Sequence, residues 1–265
     1  MEPLAVVESK DSENGLVCGY PKTGRTWLRF MMAHALSDEY SLDLDINLNN
    51  VYSVIPNQES ETITGQPAFL YEGVIPKIEM THKPYKEDAF SNTNMVFMTR
   101  DPRDILVSHW LHDSLQVKLF ESGLSEYVRD PQRGINAFLS HLESWSTHIS
   151  ADQVVSYEGM RKSPERVVTT IFKQLGVQVS NDSIGRAVSK SEISRMRRIE
   201  IASGIAGHNY DRSNPEARRV RNGKVGGFVE YLNRDDLTYI DDSISNASES
   251  AKLIIATTPY RMSHE

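Results

Sequence analysis

The chain has a single cysteine, Cys18, in 265 residues. No intrachain disulfide is therefore available, and the residue reads as a small buried hydrophobe in the first predicted strand. Nor is there an excess of positive charge. With 36 acidic and 29 basic side chains the formal net charge is −7, which argues against a dedicated nucleic-acid surface. No apolar run approaches the ~20 residues of a membrane span. The opening Met-Glu-Pro-Leu-Ala-Val-Val lacks the basic start and long apolar core of a secretion signal. Linkers, repeats and low-complexity tracts are missing too. A hydrophobic content of 39% with 25% charged residues belongs to a globular protein. The expectation is one cytoplasmic domain over residues 1–265.

What the chain does carry, near its start, is Gly19-Tyr-Pro-Lys-Thr-Gly-Arg-Thr26. This fits the frame G-x-x-x-x-G-K-[ST], whose glycines let a loop turn tightly and aim amide N–H groups at phosphate oxygens. Arg25 stands in the lysine position, and a second cation, Lys22, lies inside the loop. Residues 15–20 read as a buried strand running into it, and 26–36 as a helix running out. A strand, a glycine-bearing loop and a helix N-terminus make an anion site. An ordinary βα turn would show the same outline without a ligand.

Five apolar runs read as core strands: 15–19, 78–81, 94–99, 154–157 and 253–257. Pro102 opens a helix that sets Leu106, Val107, Trp110 and Leu111 on one face. Residues 134–148 repeat the pattern, and Ser163-Pro-Glu165 starts a helix that stops at Gly176. Strands alternating with helices predict an α/β fold of the P-loop type. Its parallel sheet is flanked by helices in three layers, α/β/α, with ligands at the carboxyl ends of the strands. Residues 204–227 break the alternation and carry Arg212, Arg218, Arg219, Arg221 and Lys224. Such a stretch is either a loop that closes on an anion or a solvated one.

Three further clusters bear chemistry. Arg100, in Met98-Thr-Arg-Asp-Pro-Arg-Asp-Ile-Leu-Val-Ser108, sits at a strand end, and Ser108 lies in the next helix. A guanidinium there can grip a phosphate bidentately and a hydroxyl can add a bond. Alternatively, Arg100 and Asp101 form a structural ion pair and Ser108 faces solvent. Glu79-Met-Thr-His-Lys-Pro84 sets His82 just past the second strand, where an imidazole can act as a base near neutral pH. A lone histidine is more often structural. Arg221-Asn-Gly-Lys-Val-Gly-Gly-Phe228 again joins cation and glycine. No His/Cys/Asp cluster with clear metal-ligand spacing is evident.

Taken together, these segments resemble the sulfotransferases that use 3′-phosphoadenosine 5′-phosphosulfate (PAPS). Pro21-Lys-Thr-Gly-Arg-Thr-Trp-Leu28 is similar to the family's P-K-[ST]-G-T-T-W-L loop. Arg100 and Ser108, eight residues apart, resemble its second signature. Thr81-His82 with Pro84 resembles its catalytic segment, Tyr157-Glu158 its Tyr-Glu step after a core strand, and Arg221-x-Gly223 its late R-K-G motif.

The resemblance implies roles residue by residue. Lys22 would meet the bridging oxygen and stabilise charge on the departing 5′-phosphate, which Thr23, Gly24, Arg25 and Thr26 would hold. Trp27 would stack on the adenine, with Tyr157, Ser191 and Ile193 completing the adenosine pocket. Arg100, Ser108, Arg221, Asn222 and Gly223 would bind the 3′-phosphate, and His82 would take the acceptor's proton. No metal is implied. A transferring sulfuryl group carries less negative charge than a phosphoryl group, so fixed cations and backbone dipoles can serve where kinases need magnesium. Three positions depart from the family pattern: Arg25 where threonine is usual, Met80 where many animal members carry lysine, and Asn222 in place of the R-K-G lysine.

The acceptor is expected to be a small alcohol, phenol or glycolipid, with an amine left open. Its candidate wall is Tyr20, Phe69, Tyr71, Trp110, Tyr127, Phe138 and the 204–214 loop, although each of these side chains alone is better explained as core. Tailoring of a secondary metabolite or lipid follows by analogy. The short dimerisation motif of the animal cytosolic enzymes has no match, which leaves the oligomeric state open. Two other readings stand beside this one: a P-loop kinase using ATP, and a non-catalytic nucleotide-binding protein.

Overall fold

A computed structural model describes residues 15–58, 65–91, 93–221 and 223–262. Four strands, β1 (Gly15–Cys18), β2 (Ile78–Thr81), β3 (Asn94–Thr99) and β4 (Val154–Ser156), form a parallel sheet in the order β2-β1-β3-β4. Val17 pairs with Met80 on one side and Val96 on the other. The strands are apolar at almost every position because both faces of the sheet are covered. Val17, Val96 and Met98 feed one apolar cluster, and Leu16, Cys18, Met95 and Phe97 feed a second. This is the three-layer α/β/α arrangement expected from the sequence.

Eleven helices surround the sheet among the described residues: α1 (Arg25–Glu39), α2 (Glu87–Phe90), α3 (Pro102–Leu111), α4 (Leu124–Arg129), α5 (Ile135–Ser146), α6 (Tyr157–Lys162), α7 (Pro164–Gln174), α8 (Asn181–Lys190), α9 (Ile193–Ser203), α10 (Arg234–Ser245) and α11 (Glu249–Ile255). Leu28 and Met32 of α1 pack with Val168 and Ile171 of α7 and Ile184 of α8 on one face. Helices α3, α5, α10 and α11 cover the other through Leu106, Leu142, Ile240 and Ile254. Among the described residues, no helix is long and apolar enough to cross a membrane.

The proline signals place helix starts correctly. Helix α3 opens at Pro102, and the Asp101 carboxylate accepts from the Arg103 amide at 3.0 Å, which caps it. Helix α7 opens at Pro164, although Ser163 makes no side-chain capping bond there. Two strand assignments need correction. Strand β4 ends at Ser156, whose Oγ accepts from the Gly159 amide at 3.1 Å, so Tyr157 begins a helix instead of ending a strand. The expected fifth strand at 253–257 falls on α11 and the turn after it. Ser248 caps that helix through the Ala251 amide, Glu249 sits in its first turn, and Ala251, Ile254 and Ile255 are buried. That spacing is helical, and the run is too short for composition alone to separate the two outcomes.

Strand order fixes where a ligand can sit. The chain passes from β1 to β2 on one side of it and returns to β3 on the other. A crevice therefore opens beyond the carboxyl ends of β1 and β3, as in other open α/β sheets.

Candidate active site

The loop after β1 is shaped by two left-handed residues, Lys22 (φ 72°) and Gly24 (φ 99°). A Cβ at Gly24 would lie 2.5 Å from Tyr157 Cδ2, so only glycine fits there. The buried Thr23 hydroxyl donates to the Tyr20 carbonyl at 3.1 Å and tightens the turn. The Gly24 carbonyl accepts from Trp27 and Leu28, starting α1. This leaves the Arg25 and Thr26 amides at an anion-favouring helix terminus. The Arg25 side chain is itself buried.

Arg100, just past β3, gathers three segments. Its Nη1 donates to the Lys22 carbonyl at 3.3 Å and its Nη2 to the Lys224 carbonyl at 3.2 Å. The guanidinium lies 4.4 Å from the Tyr157 ring centroid and 3.5 Å from the Asp104 carboxylate. Asp101 pairs with Arg103 at 2.6 Å, not with Arg100. Asp104 also accepts from the amides of Gly226 (2.8 Å) and Phe228 (2.9 Å). Both aspartates are thus committed to holding the backbone and its arginines.

The 204–227 segment closes over this end of the sheet. The buried Glu200 carboxylate accepts from the Arg219 and Val220 amides at 2.7 and 2.8 Å, while Asp104 anchors the far side. Arg221 donates to Glu216 at 2.9 Å and to the Tyr231 hydroxyl at 2.8 Å. Gly223 adopts φ 62°, and a Cβ there would lie 2.5 Å from Ile193 Cδ1. Asn222 lies outside the described residues.

His82 Nδ1 is 2.7 Å from the Gly19 carbonyl. Because a carbonyl only accepts, Nδ1 carries the proton and Nε2 the lone pair. Burial, reinforced by Arg25, holds this imidazole well below its ordinary value, so it is neutral. Lys22 is likewise held well below the ordinary lysine value, first by burial and then by Arg219.

These groups line one cavity of about 560 Å³, within the usual range for small-molecule sites. Every site residue expected from the sequence and described in the structure lines it, except Thr23 and Ser191. Thr23 works behind the loop. Ser191 is buried, and its carbonyl accepts from Trp27 Nε1 at 2.8 Å, which orients the indole edge-on to Tyr157.

The cavity lining differs from the aromatic wall expected for the acceptor. Tyr20, Tyr127 and Phe138 belong to the second apolar cluster, Trp110 packs on it, and Phe69 and Tyr71 pack on the first. None of the six lines the cavity. Their place is taken by Arg29, Asn57, Gln66, His109, His112, His208 and Arg219, of which only His208 comes from the 204–214 loop. The sequence held faint signals for some of them. Arg29 is one turn beyond Arg25 on α1, and His109, His112 and Asp113 recur at helical spacing.

Those last three also bring ligand-type atoms within 4.8 Å of one another, a cluster not evident from spacing alone. Asp113 is already engaged by His112 Nδ1 (2.9 Å), the Tyr127 hydroxyl (2.8 Å) and Arg133 Nε (3.6 Å). With Lys22 and Arg219 acting on the same imidazole, the cluster reads as a hydrogen-bonded wall in a cationic setting.

Residues 12–253 match the sulfotransferase domain family, and the chain belongs to that family. It is a PAPS-dependent sulfotransferase. Similar proteins include cytosolic sulfotransferase 17 of Arabidopsis thaliana, 24% identical over 252 residues, covering 85% of this chain and 71% of that protein. The amine sulfotransferase of Oryctolagus cuniculus is 21% identical over 247 residues, 88% of this chain and 79% of its own. Among solved structures, retinol dehydratase in complex with retinol and PAP aligns with TM-score 0.65 at 16% identity, over 96% of this chain and 84% of its own. Mouse sulfotransferase SULT7A1 complexed with PAP aligns with TM-score 0.62 at 18% identity, over 92% and 89%. Both structural likenesses show the shared fold.

Proposed function

We propose that the protein moves the sulfuryl group of PAPS onto a hydroxyl of a small-molecule acceptor, with His82 as the base. The observation that carries this reading is the meeting of Lys22, Arg25, Arg100, Arg221 and His82 around one cavity, drawn from segments far apart in the chain. The residues suit the donor. Gly24 and Gly223 let the two loops pack closely on Tyr157 and Ile193, and the cations flank a helix N-terminus.

In this reading Arg25, Thr26 and the loop amides hold the 5′-phosphate, while Arg100, Ser108, Arg221 and Gly223 hold the 3′-phosphate. Trp27, Tyr157 and Ile193 flank the adenosine, and Thr23 and Ser191 support the loop and the indole from behind. When bound, PAPS supplies a sulfuryl group that passes to the acceptor oxygen while the bridging oxygen leaves with the 5′-phosphate. His82 Nε2 takes the proton from the acceptor hydroxyl. Lys22 faces the charge growing on the leaving oxygen. Met80 is buried in the core, so no cation stands at that position to share this task.

Relatives named for an amine and for a flavonol support a small acceptor, with an amine as the second choice. Those named cytosolic support a cytoplasmic setting. The single sheet shared by both apolar clusters supports reading the chain as one domain.

A kinase would need an acid available for magnesium. Asp101 and Asp104, the acids nearest Arg100, are committed elsewhere. The test is calorimetric titration with 3′,5′-bisphosphoadenosine beside ATP and magnesium. Tight binding of the bisphosphate and weak binding of ATP is the expected result, and the reverse order would overturn the reading in favour of a kinase.

A further inference from the structure

The cavity holds more positive charge than the donor needs. Eight lysine and arginine side chains line it against two carboxylates, Asp104 and Glu230. PAPS brings about four negative charges, up to two of them on its 3′-phosphate. The proposed function places Lys22, Arg25, Arg100 and Arg221 on the donor, and Lys224 is paired with Glu230. Arg29, Lys83 and Arg219 remain on the lining, away from any role in holding PAPS.

Arg219 is the most pointed of the three. Its backbone is fixed by Glu200, which accepts from its amide and not from its guanidinium. Among the described residues, no carboxylate forms an ion pair with that guanidinium. Nη2 instead donates to two imidazoles, His112 Nε2 at 3.2 Å and His208 Nδ1 at 3.1 Å, and the buried Nε has no acceptor among the described residues. The arrangement is held from behind. The Tyr127 hydroxyl donates to Asp113 at 2.8 Å, and Asp113 accepts from His112 Nδ1 at 2.9 Å. That bond turns the His112 lone pair on Nε2 toward Arg219. Burial keeps His112 at about 4 and His208 at about 3, so both rings are neutral partners that leave the guanidinium charge uncompensated. A π-helical turn, His112–Gln116, continues α3 and presents this wall.

A partly buried arginine without an acid is a binding element for an anion that arrives from outside. Arg29, buried on α1 with Tyr52 4.5 Å from its guanidinium and Asn57 as hydrogen-bond partner, adds a second cation to the same lining. We propose that the acceptor is a hydroxylated organic anion, a hydroxy acid and not a neutral phenol or alcohol, whose charged group is held by Arg219 on its His112–His208 bracket. This rests on the sulfotransferase reading and specifies the acceptor end of that site.

The test uses matched pairs of hydroxy acids and their methyl esters, aliphatic and aromatic, as acceptors with PAPS. Turnover and calorimetric binding to bisphosphoadenosine-loaded protein are both measured. The wild-type protein is expected to favour acids over esters by about tenfold or more in kcat/KM or in affinity. Arg219→Gln should erase that preference mainly through KM, and Arg219→Lys should restore part of it.

Equal or better handling of the esters, or no acid-dependent binding in any pair, would overturn the proposal without recourse to a variant. A loss in Arg219→Gln that is equal for acid and ester, and falls on kcat, would overturn it by placing Arg219 on the sulfuryl group. Loss of bisphosphoadenosine binding in the variant would overturn it by placing Arg219 on the donor. Failure of the wild-type protein to bind bisphosphoadenosine is a separate result, which would remove the sulfotransferase reading itself.

Discussion

The His82 imidazole is tied through Nδ1 to the carbonyl of Gly19, 2.7 Å away. The first glycine of the phosphate loop therefore also sets the tautomer of the proposed base. Loop and base come from adjacent parallel strands, β1 and β2, whose carboxyl ends are in register at Cys18 and Thr81. His82→Ala is expected to lower turnover by roughly 10²-fold or more while bisphosphoadenosine still binds. Unchanged turnover with a working acceptor would remove His82 as the base.

The same environment makes a statement about pH. Burial and Arg25 hold His82 well below 6.5, so falling pH does not protonate it until well under that value. In kcat/KM for PAPS, which reports the free enzyme, the acidic limb assigned to His82 should lie below the ordinary imidazole range. A limb at the ordinary position that vanishes in His82→Ala would contradict this.

Lys22 gives a binding prediction of its own. Burial and Arg219, with smaller contributions from Arg100 and Arg221, depress it, and Asp113 only partly offsets them. A bound phosphate adds negative charge nearby and draws the proton back. Bisphosphoadenosine binding should therefore take up protons at alkaline pH below the ordinary lysine value, where the ligand's own phosphate ionisation, near 6, is complete. Affinity should fall as pH rises. Calorimetry in buffers of different ionisation enthalpy measures the uptake, and a value of zero, or one unchanged in Lys22→Ala, would count against it.

Arg100 distinguishes the two phosphates. Arg100→Ala is expected to weaken bisphosphoadenosine binding by about 2 kcal/mol or more and to leave AMP nearly unaffected. Equal losses for both ligands would mean that Arg100 does not read the 3′-phosphate. Because Arg100 also donates to the carbonyls of Lys22 and Lys224, the comparison between ligands matters more than either loss alone.

A stability measurement checks the corrected C-terminal element. Ile254 is buried and Leu253 is 71% exposed, as a helix and not a two-sided strand would place them. Ile254→Ala should destabilise by about 2–5 kcal/mol, and Leu253→Ala should stay within about 0.5 kcal/mol. Denaturant titration of both variants decides it, and large losses in both would restore the strand buried on its two faces.

The phosphate loop, the Arg100 and Arg221 clusters and His82 were legible in the sequence because each is a local device. Glycine is favoured where φ is positive and required where space is also short, proline and an acid mark helix starts, and an anion site needs cations within a few residues of such a turn. These constraints act within a single segment and leave a pattern that the sequence by itself carries. The rest of the cavity lining was not legible. Arg29, His109, His112, His208 and Arg219 come from four separate stretches of chain, and only the β2-β1-β3-β4 order and the tethering of the late loop by Glu200 and Asp104 bring them together. Aromatic residues suggested as an acceptor wall went into the core or packed against it, since apolar burial is satisfied wherever the fold has room and carries no address in the sequence. Likewise, residues 253–257 have the composition of a strand, and the Ser248 cap together with the burial of Ala251, Ile254 and Ile255 on one face made 253–255 the end of a helix. Sequence determined which chemistry the protein can hold, and tertiary structure decided what that chemistry faces.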